Sequence, residues 1–447
     1  MRALTREMIS NAKRVSSSGS AKRVAQAAGR SVATALGFLE DGSMRDEYDV
    51  MDSSGETFEI RDFVLESGVV MPQVQVRYNT YGELNEAKDN VLIVCHALTG
   101  NSAIDKWWGD MLGPGKAFDT EKYLVVGANA LCSCYGSSGP LSINPATNKL
   151  YLNNFPVVTI RDSVKAHMQL VKEGLGAHKL HGVVGGSLGG MQALEWALLG
   201  GKDFVPRIVA IGCGATHTAW QIAISEAQRQ SIYFDEKWNG GNVDMDDPPV
   251  KGLNVARQMA MAMYRSSVGY ESKFGRTLTK TETEIESKNE YENEIENGNG
   301  NEGEKEKKAE TRPADLTSAS TSTSTIDSNS NGNPGCFAVQ SYLEHQGAKF
   351  VARFDAVTYV HLTRFMDTHD VGRGRGGVDA ALGGYGGKAL VMGMDTDVLY
   401  PLHMQQELAA GIPISQFVEI KTLEGHDGFL LEQEQVGSHL LKFLSSD

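Results

Sequence analysis

Six consecutive residues, Gly185-Gly186-Ser187-Leu188-Gly189-Gly190, constrain this chain more than any other stretch. Before them runs Leu180-His181-Gly182-Val183-Val184, short, mostly apolar and ending in β-branched residues, as a buried parallel strand does. After them comes Met191 to Leu199, rich in helix formers. Strand, glycine-flanked serine and helix in that order read as a nucleophile elbow. The pattern G-x-S-x-G sets a serine on a strained turn, where small neighbours leave room for the backbone reversal and the hydroxyl stands above the sheet. The N–H of Leu188 is then an oxyanion donor. The competing readings of the glycines alone are a tight βα turn or a phosphate-binding loop.

An elbow of this kind predicts an α/β fold with a mostly parallel central sheet, in which the serine's partners follow in the order acid, then histidine. Lys388–Met394 reads as a buried strand leading into Asp395-Thr396-Asp397, so one of these aspartates sits at the carboxyl end of the sheet. Phe417–Ile420 reads as the next strand, with His426 on the loop beyond it. Of eleven histidines, His426 is preferred. His439 falls on an amphipathic terminal helix and His403 at a helix start. A second oxyanion donor is expected from the loop after the strand Val91–Cys95, at Leu98 or Thr99, which leaves His96 a structural role.

The rest of the composition sets limits. The chain has 447 residues and a formal charge of -14. It has no apolar run long enough to span a bilayer and no basic stripe, so neither a membrane nor a nucleic acid is expected as a partner. Five scattered cysteines, including Cys132-Ser133-Cys134, lack the spacing of a zinc or redox motif and read as small buried residues of a reducing compartment. No metal site is expected. Residues 1–50 form a basic N-terminal segment. Its bases among serines and alanines suit both a mitochondrial or plastid transit peptide and a flexible tail, beside a default cytoplasmic location. Residues 277–335, running through Glu/Asn/Lys/Gly and then Ser/Thr repeats, lack apolar residues to offset ordering, and are expected to form a disordered insert.

Eight runs in order resemble the homoserine O-acetyltransferase family: HALTG (96–100), WWGDMLGPGKAFDT (107–120), YGSSGPLSINP (135–145), GGSLGGMQALEW (185–196), GLNVARQMAMAMYRS (252–266), FDAVTYVHLTRFMDTHDVGRGRG (354–376), DTDVLYP (395–401) and GHDGFL (425–430). The resemblance spans the chain from about residue 57 to the C-terminus, apart from the insert. It implies an α/β-hydrolase fold with core segments 51–214 and 385–447, and a helical lid over 215–384. It makes Ser187 the nucleophile, Asp397 the acid and His426 the base. It implies that Arg257 binds the amino acid's carboxylate and Asp427 its amino group. Tyr264, two helical turns after Arg257, shares its face and is expected to line the same pocket.

The activity implied is ping-pong transfer from acetyl-CoA, as co-substrate with no bound cofactor, to L-homoserine, by a homodimer formed through the lid. Two departures from the family pattern are Leu188, where methionine is common, and the Cys132–Cys134 segment, which replaces a glycine-containing run. Thr99-Gly100 points to acetyl rather than succinyl as the acyl group. Serine-type acceptors, a carboxylic ester hydrolase on the same site and a non-catalytic member that recruits partners through the insert are the alternatives.

Overall fold

The computed structural model describes residues 55–278 and 336–446. The basic segment 1–50 lies outside them, as does the insert apart from Thr277 and Leu278. Eight strands form one sheet in the order β1-β2-β4-β3-β7-β8-β9-β10. They are β1 (Glu56–Val64), β2 (Val70–Tyr81), β3 (Val91–Cys95), β4 (Leu124–Ala128), β7 (Leu180–Gly186), β8 (Arg207–Ile211), β9 (Lys388–Met394) and β10 (Ser415–Ile420), while β5 (Ile143–Asn144) and β6 (Lys149–Leu150) pair separately. From β4 to β10 every neighbour is parallel; β2 pairs antiparallel with both β4 and β1.

Burial follows that topology. Every residue of β3 and β4 is buried, and so is all of β9 except Lys388, because helices cover both faces of the parallel part. Strand β2 at the antiparallel end alternates instead, with Met71, Val74, Val76 and Tyr78 inward. Two apolar cores result, one on each side of the sheet. On one side Trp196, Leu194 and Met191 pack with Ile93 and Val183; on the other Trp108, Phe118 and Phe429 pack with Leu92, Val184 and Val209.

The helices are α1 (Ile104–Trp107), α2 (Ile160–Gln169), α3 (Leu188–Phe204), α4 (Ala219–Tyr233), α5 (Val250–Tyr264), α6 (Ser267–Phe274), α7 (Ala338–Val351), α8 (Ala356–Asp367), α9 (Val378–Gly383), α10 (Leu402–Gly411), α11 (Gly428–Leu431) and α12 (Gln433–Leu444). Helices α4 to α9 all fall between β8 and β9. No described helix is long and apolar enough to cross a membrane.

The described residues divide into two compact units, 55–270 with 343–446, and 271–278 with 336–342. Within the second, Leu278 bridges Phe337, the Ala338 N–H donates to the Thr277 carbonyl at 2.8 Å, and the rings of Phe274 and Tyr342 lie 5.0 Å apart.

The sheet order places a crevice. The chain passes from β3 to β4 on one side and then to β7 on the other, so loops at the carboxyl ends of β3 and β7 diverge there, where open α/β sheets bind ligands. Cys95 is in register with Gly185, which brings the 96–100 loop beside the serine turn.

Candidate active site

Ser187 follows β7 and caps α3 with φ 57° and ψ -122°, a positive φ that a residue with a side chain adopts only at a cost of roughly 1–3 kcal/mol. Its surroundings hold it there. The Ser187 N–H donates to the Ile211 carbonyl at 2.8 Å. Glycine is obligatory on both flanks: a Cβ on Gly185 would lie 2.1 Å from the Gly189 carbonyl oxygen, and one on Gly189 would lie 2.2 Å from that of Cys95. The elbow therefore closes by direct backbone contact between β7, α3 and the end of β3.

His426 sits in a single 3-10 turn, Gly425–Asp427, just beyond β10. Its Nε2 is 2.9 Å from Ser187 Oγ and its Nδ1 is 2.7 Å from Asp397 Oδ2. Asp397, two residues past the Asp395 that follows β9, uses its other oxygen to accept the N–H groups of Leu399 and Tyr400, both at 2.8 Å. Asp395 is occupied elsewhere. It accepts the Thr422 N–H at 3.0 Å and pairs with Lys421, tying together the two segments that leave the sheet.

All three triad residues are buried. Burial opposes charging of His426, but the Asp397 carboxylate outweighs it, and the imidazole is raised above its ordinary 6.5. The rings of Tyr264, Tyr400 and Phe429 pack around it at 5.8, 5.3 and 5.5 Å.

The two expected oxyanion donors fall on either side of the serine. Leu188 is the first residue of α3, so its N–H has no carbonyl one turn back within the helix. Leu98 lies in the loop after β3, which is fixed by His96. The Ala130 N–H donates to His96 Nε2 at 2.9 Å, so the proton resides on Nδ1 and is given to the Ala97 carbonyl at 2.7 Å. Burial lowers His96 to about 4, which keeps it neutral.

The expected acceptor-binding residues also converge. The Arg257 guanidinium lies over the rings of Tyr264, at 5.8 Å, and Phe350, at 4.9 Å, and its Nε is buried without a hydrogen-bond partner. Burial raises the Tyr264 phenol to about 12. Asp427 neighbours His426; burial raises its carboxyl, against the charges of Arg265, His426 and Arg257.

Sequence reasoning missed the cation closest to that carboxylate. Arg265 Nε stands 3.2 Å from Asp427 Oδ2, and its Nη1 pairs with Glu424. Arg265 directly follows α5, where the backbone has turned extended, and no helical spacing marked it. His403 is exposed at the start of α10 and His439 is half-buried on α12, each on the helix expected for it. Among the described residues all five cysteines are free; Cys95, Cys132 and Cys213 are buried, but Cys134 is only partly so and Cys336 is exposed. No cluster able to hold a metal occurs among the described residues.

Comparison with known proteins agrees with this architecture. Residues 90–433 match the family model of the α/β hydrolase fold. The chain is 40% identical over 383 residues to the homoserine O-acetyltransferase of Chlorobium chlorochromatii, covering 86% of this chain and 93% of that one. It is 42% identical over 375 residues to that of Nostoc punctiforme, covering 83% and 90%. Among solved structures, homoserine O-acetyltransferase from Bacillus anthracis superposes with TM-score 0.71 at 23% identity, over 88% of this chain and 98% of that one. An acetylester hydrolase from Corynebacterium glutamicum gives 0.70 at 23%, over 90% and 99%. The two structures share the fold; the sequence relatives, matched over nearly their whole length, set the lineage. The chain belongs to the homoserine O-acetyltransferase family of α/β hydrolases.

Proposed function

We propose that the protein moves an acetyl group from acetyl-CoA to the side-chain hydroxyl of L-homoserine, giving O-acetyl-L-homoserine for methionine biosynthesis. The observation that carries this reading is the unbroken chain Ser187 Oγ, His426, Asp397 with Arg257, Tyr264 and Asp427 around its open end. Family membership supports homoserine as the acceptor, and Thr99-Gly100 supports acetyl over succinyl.

In the first half-reaction neutral His426 takes the Ser187 proton on Nε2 while Oγ attacks the thioester carbonyl. The N–H groups of Leu98 and Leu188 receive the negative charge on the carbonyl oxygen. The tetrahedral species collapses, the C–S bond breaks, and the imidazolium returns its proton to the departing thiolate. In the second half, His426 deprotonates the homoserine hydroxyl, which attacks acetyl-Ser187. Collapse breaks the bond to Oγ, and the proton passes back to Ser187. Asp397 fixes the imidazole tautomer and stabilises its charged form throughout.

Arg257 offers a planar fork with an unused Nε to the amino acid's carboxylate. Asp427 offers a carboxylate to its ammonium, in exchange for part of its pairing with Arg265. The helices between β8 and β9 act as a lid that keeps water from the acyl-enzyme. A homodimer through the lid belongs to the same reading; the exposed apolar residues Phe234, Val255 and Met259 on or beside α4 and α5 suit it.

The test is thiol release from acetyl-CoA or succinyl-CoA with homoserine or serine as acceptor. The expected result is release that depends on homoserine and is fastest with acetyl-CoA. Release that ignores every acceptor would make the protein a hydrolase.

A further inference from the structure

The backbone of the segment after β9 aims the catalytic acid, since both N–H donors to Asp397 Oδ1 come from Leu399 and Tyr400. That segment lies at the surface on one side, where Val398 is 42% exposed. Something else must hold it. Three side chains from the stretch that opens α4 do so. Trp220 Nε1 donates to the Val398 carbonyl at 3.0 Å, Gln221 Nε2 donates to that of Leu399 at 2.7 Å, and His217 Nδ1 meets the Tyr400 hydroxyl at 3.0 Å. Gln221 is itself oriented, because its Oε1 accepts the Thr218 N–H at 2.7 Å.

His217 is the part of this grip with a chemistry of its own. Its backbone N–H donates to the His369 carbonyl at 2.9 Å, while its Nε2 lies 3.7 Å from Asp367 Oδ1, beyond hydrogen-bond reach. Asp367 Oδ2 pairs with Arg229 at 2.8 Å. Burial, with His369 and Arg229 nearby, lowers the His217 imidazole to about 3, so the ring is neutral. A neutral ring has one accepting nitrogen, and Nδ1 accepting from the Tyr400 phenol leaves the proton on Nε2. The fully buried Tyr400 therefore points its hydroxyl away from the triad, with its ring 5.3 Å from that of His426 and its amide on Asp397.

We propose that His217 positions Tyr400, and through its ring and amide the Asp397–His426 pair. His217 and Tyr400 are positioning residues, and the inference rests on Ser187, His426 and Asp397 being the reacting set proposed above. The connection couples the start of α4, and through His369 the turn after α8, to the geometry of the base, so a disturbance in either reaches catalysis without touching substrate.

The experiment uses p-nitrophenyl acetate, whose acyl transfer to Ser187 is read as a burst of p-nitrophenol without any acceptor. His217→Ala and Tyr400→Phe should each slow the burst about tenfold, as displaced catalytic groups do. The double variant should be no slower than the worse single one, since both changes break one connection. His217→Asn, whose side-chain oxygen can accept the phenol's proton, should recover most of the rate. In the slowed variants the low-field proton resonance of the His426–Asp397 hydrogen bond should move upfield. Wild-type bursts and an unmoved resonance in Tyr400→Phe and His217→Ala, or independent losses in the double variant, would overturn the inference. A normal burst in the wild type with no transfer to homoserine would instead overturn the proposed acceptor and leave this inference standing.

Discussion

Ser187 accepts an unfavourable backbone angle because three backbone segments meet where its flanking glycines lie, and the return is a hydroxyl aimed at His426. In the proposed mechanism His426 is the base and sets the pH response. Neutral imidazole is the working form, and Asp397 raises the His426 pKa above 6.5, so kcat/KM should rise with pH through a midpoint above 6.5. Asp397→Asn removes that charge and leaves burial opposed only by Asp427, which moves the midpoint to lower pH. It also loses control of the tautomer, with an expected fall in kcat of about 10⁴-fold. A pH–rate profile of both proteins checks the two effects together. An unchanged midpoint in the variant would show that another group supplies the limb. At this scale the sequence was legible where a position follows local spacing: the Ser187 turn from its glycines, and the Asp395–Asp397 segment and His426 from strands that end just before them. The choice of Asp397 over Asp395 came from the family resemblance. Pairings across 183 residues, such as His217 with Tyr400, have no local signature.

Among the elements, α3 carries the serine at one end and an ionic knot two turns further on. Glu195, 3% exposed at its side chain, takes both Arg161 and Arg375, while Arg161 and Arg373 also reach Glu66. Burial would raise Glu195, but the arginines prevail and hold it below its ordinary value. Its stabilising share is complete above the unfolded value of 4.5 and is lost as pH falls through the lower folded one. Glu195→Gln leaves two half-buried guanidinium groups short of a countercharge, and should cost about 3 kcal/mol in denaturant unfolding at neutral pH. The deficit should shrink in acid, where wild type loses the same charge. An equal deficit at every pH would show that packing, not charge, was lost. The knot joins α2, α3 and the glycine-rich turn after α8. Sequence reading passed over it because its members are ordinary helix charges until the fold assembles them. The parallel strands, by contrast, were readable as continuous apolar runs because both faces are covered, and β3 and β9 begin and end where those runs do.

At the scale of the whole molecule, strand order was hidden, since β3 pairing with both β4 and β7 is a choice made between distant segments. The long insert was legible as composition. Leu278 and Phe337 bridge each other, so the chain leaves and re-enters at neighbouring points. Replacing residues 279–335 by a short Gly/Ser linker should leave kcat/KM within about twofold, because loop closure depends only weakly on length. A large loss would assign the segment a part in catalysis. The proposed mechanism passes through an acetylated Ser187 that waits for an amino acid. Mass spectrometry of protein mixed with acetyl-CoA alone, and then chased with homoserine, tests this most directly. The account predicts one acetyl group on the peptide carrying Ser187, discharged by homoserine far faster than by water. An unmodified Ser187, or an acetyl group that homoserine does not accelerate away, would contradict it.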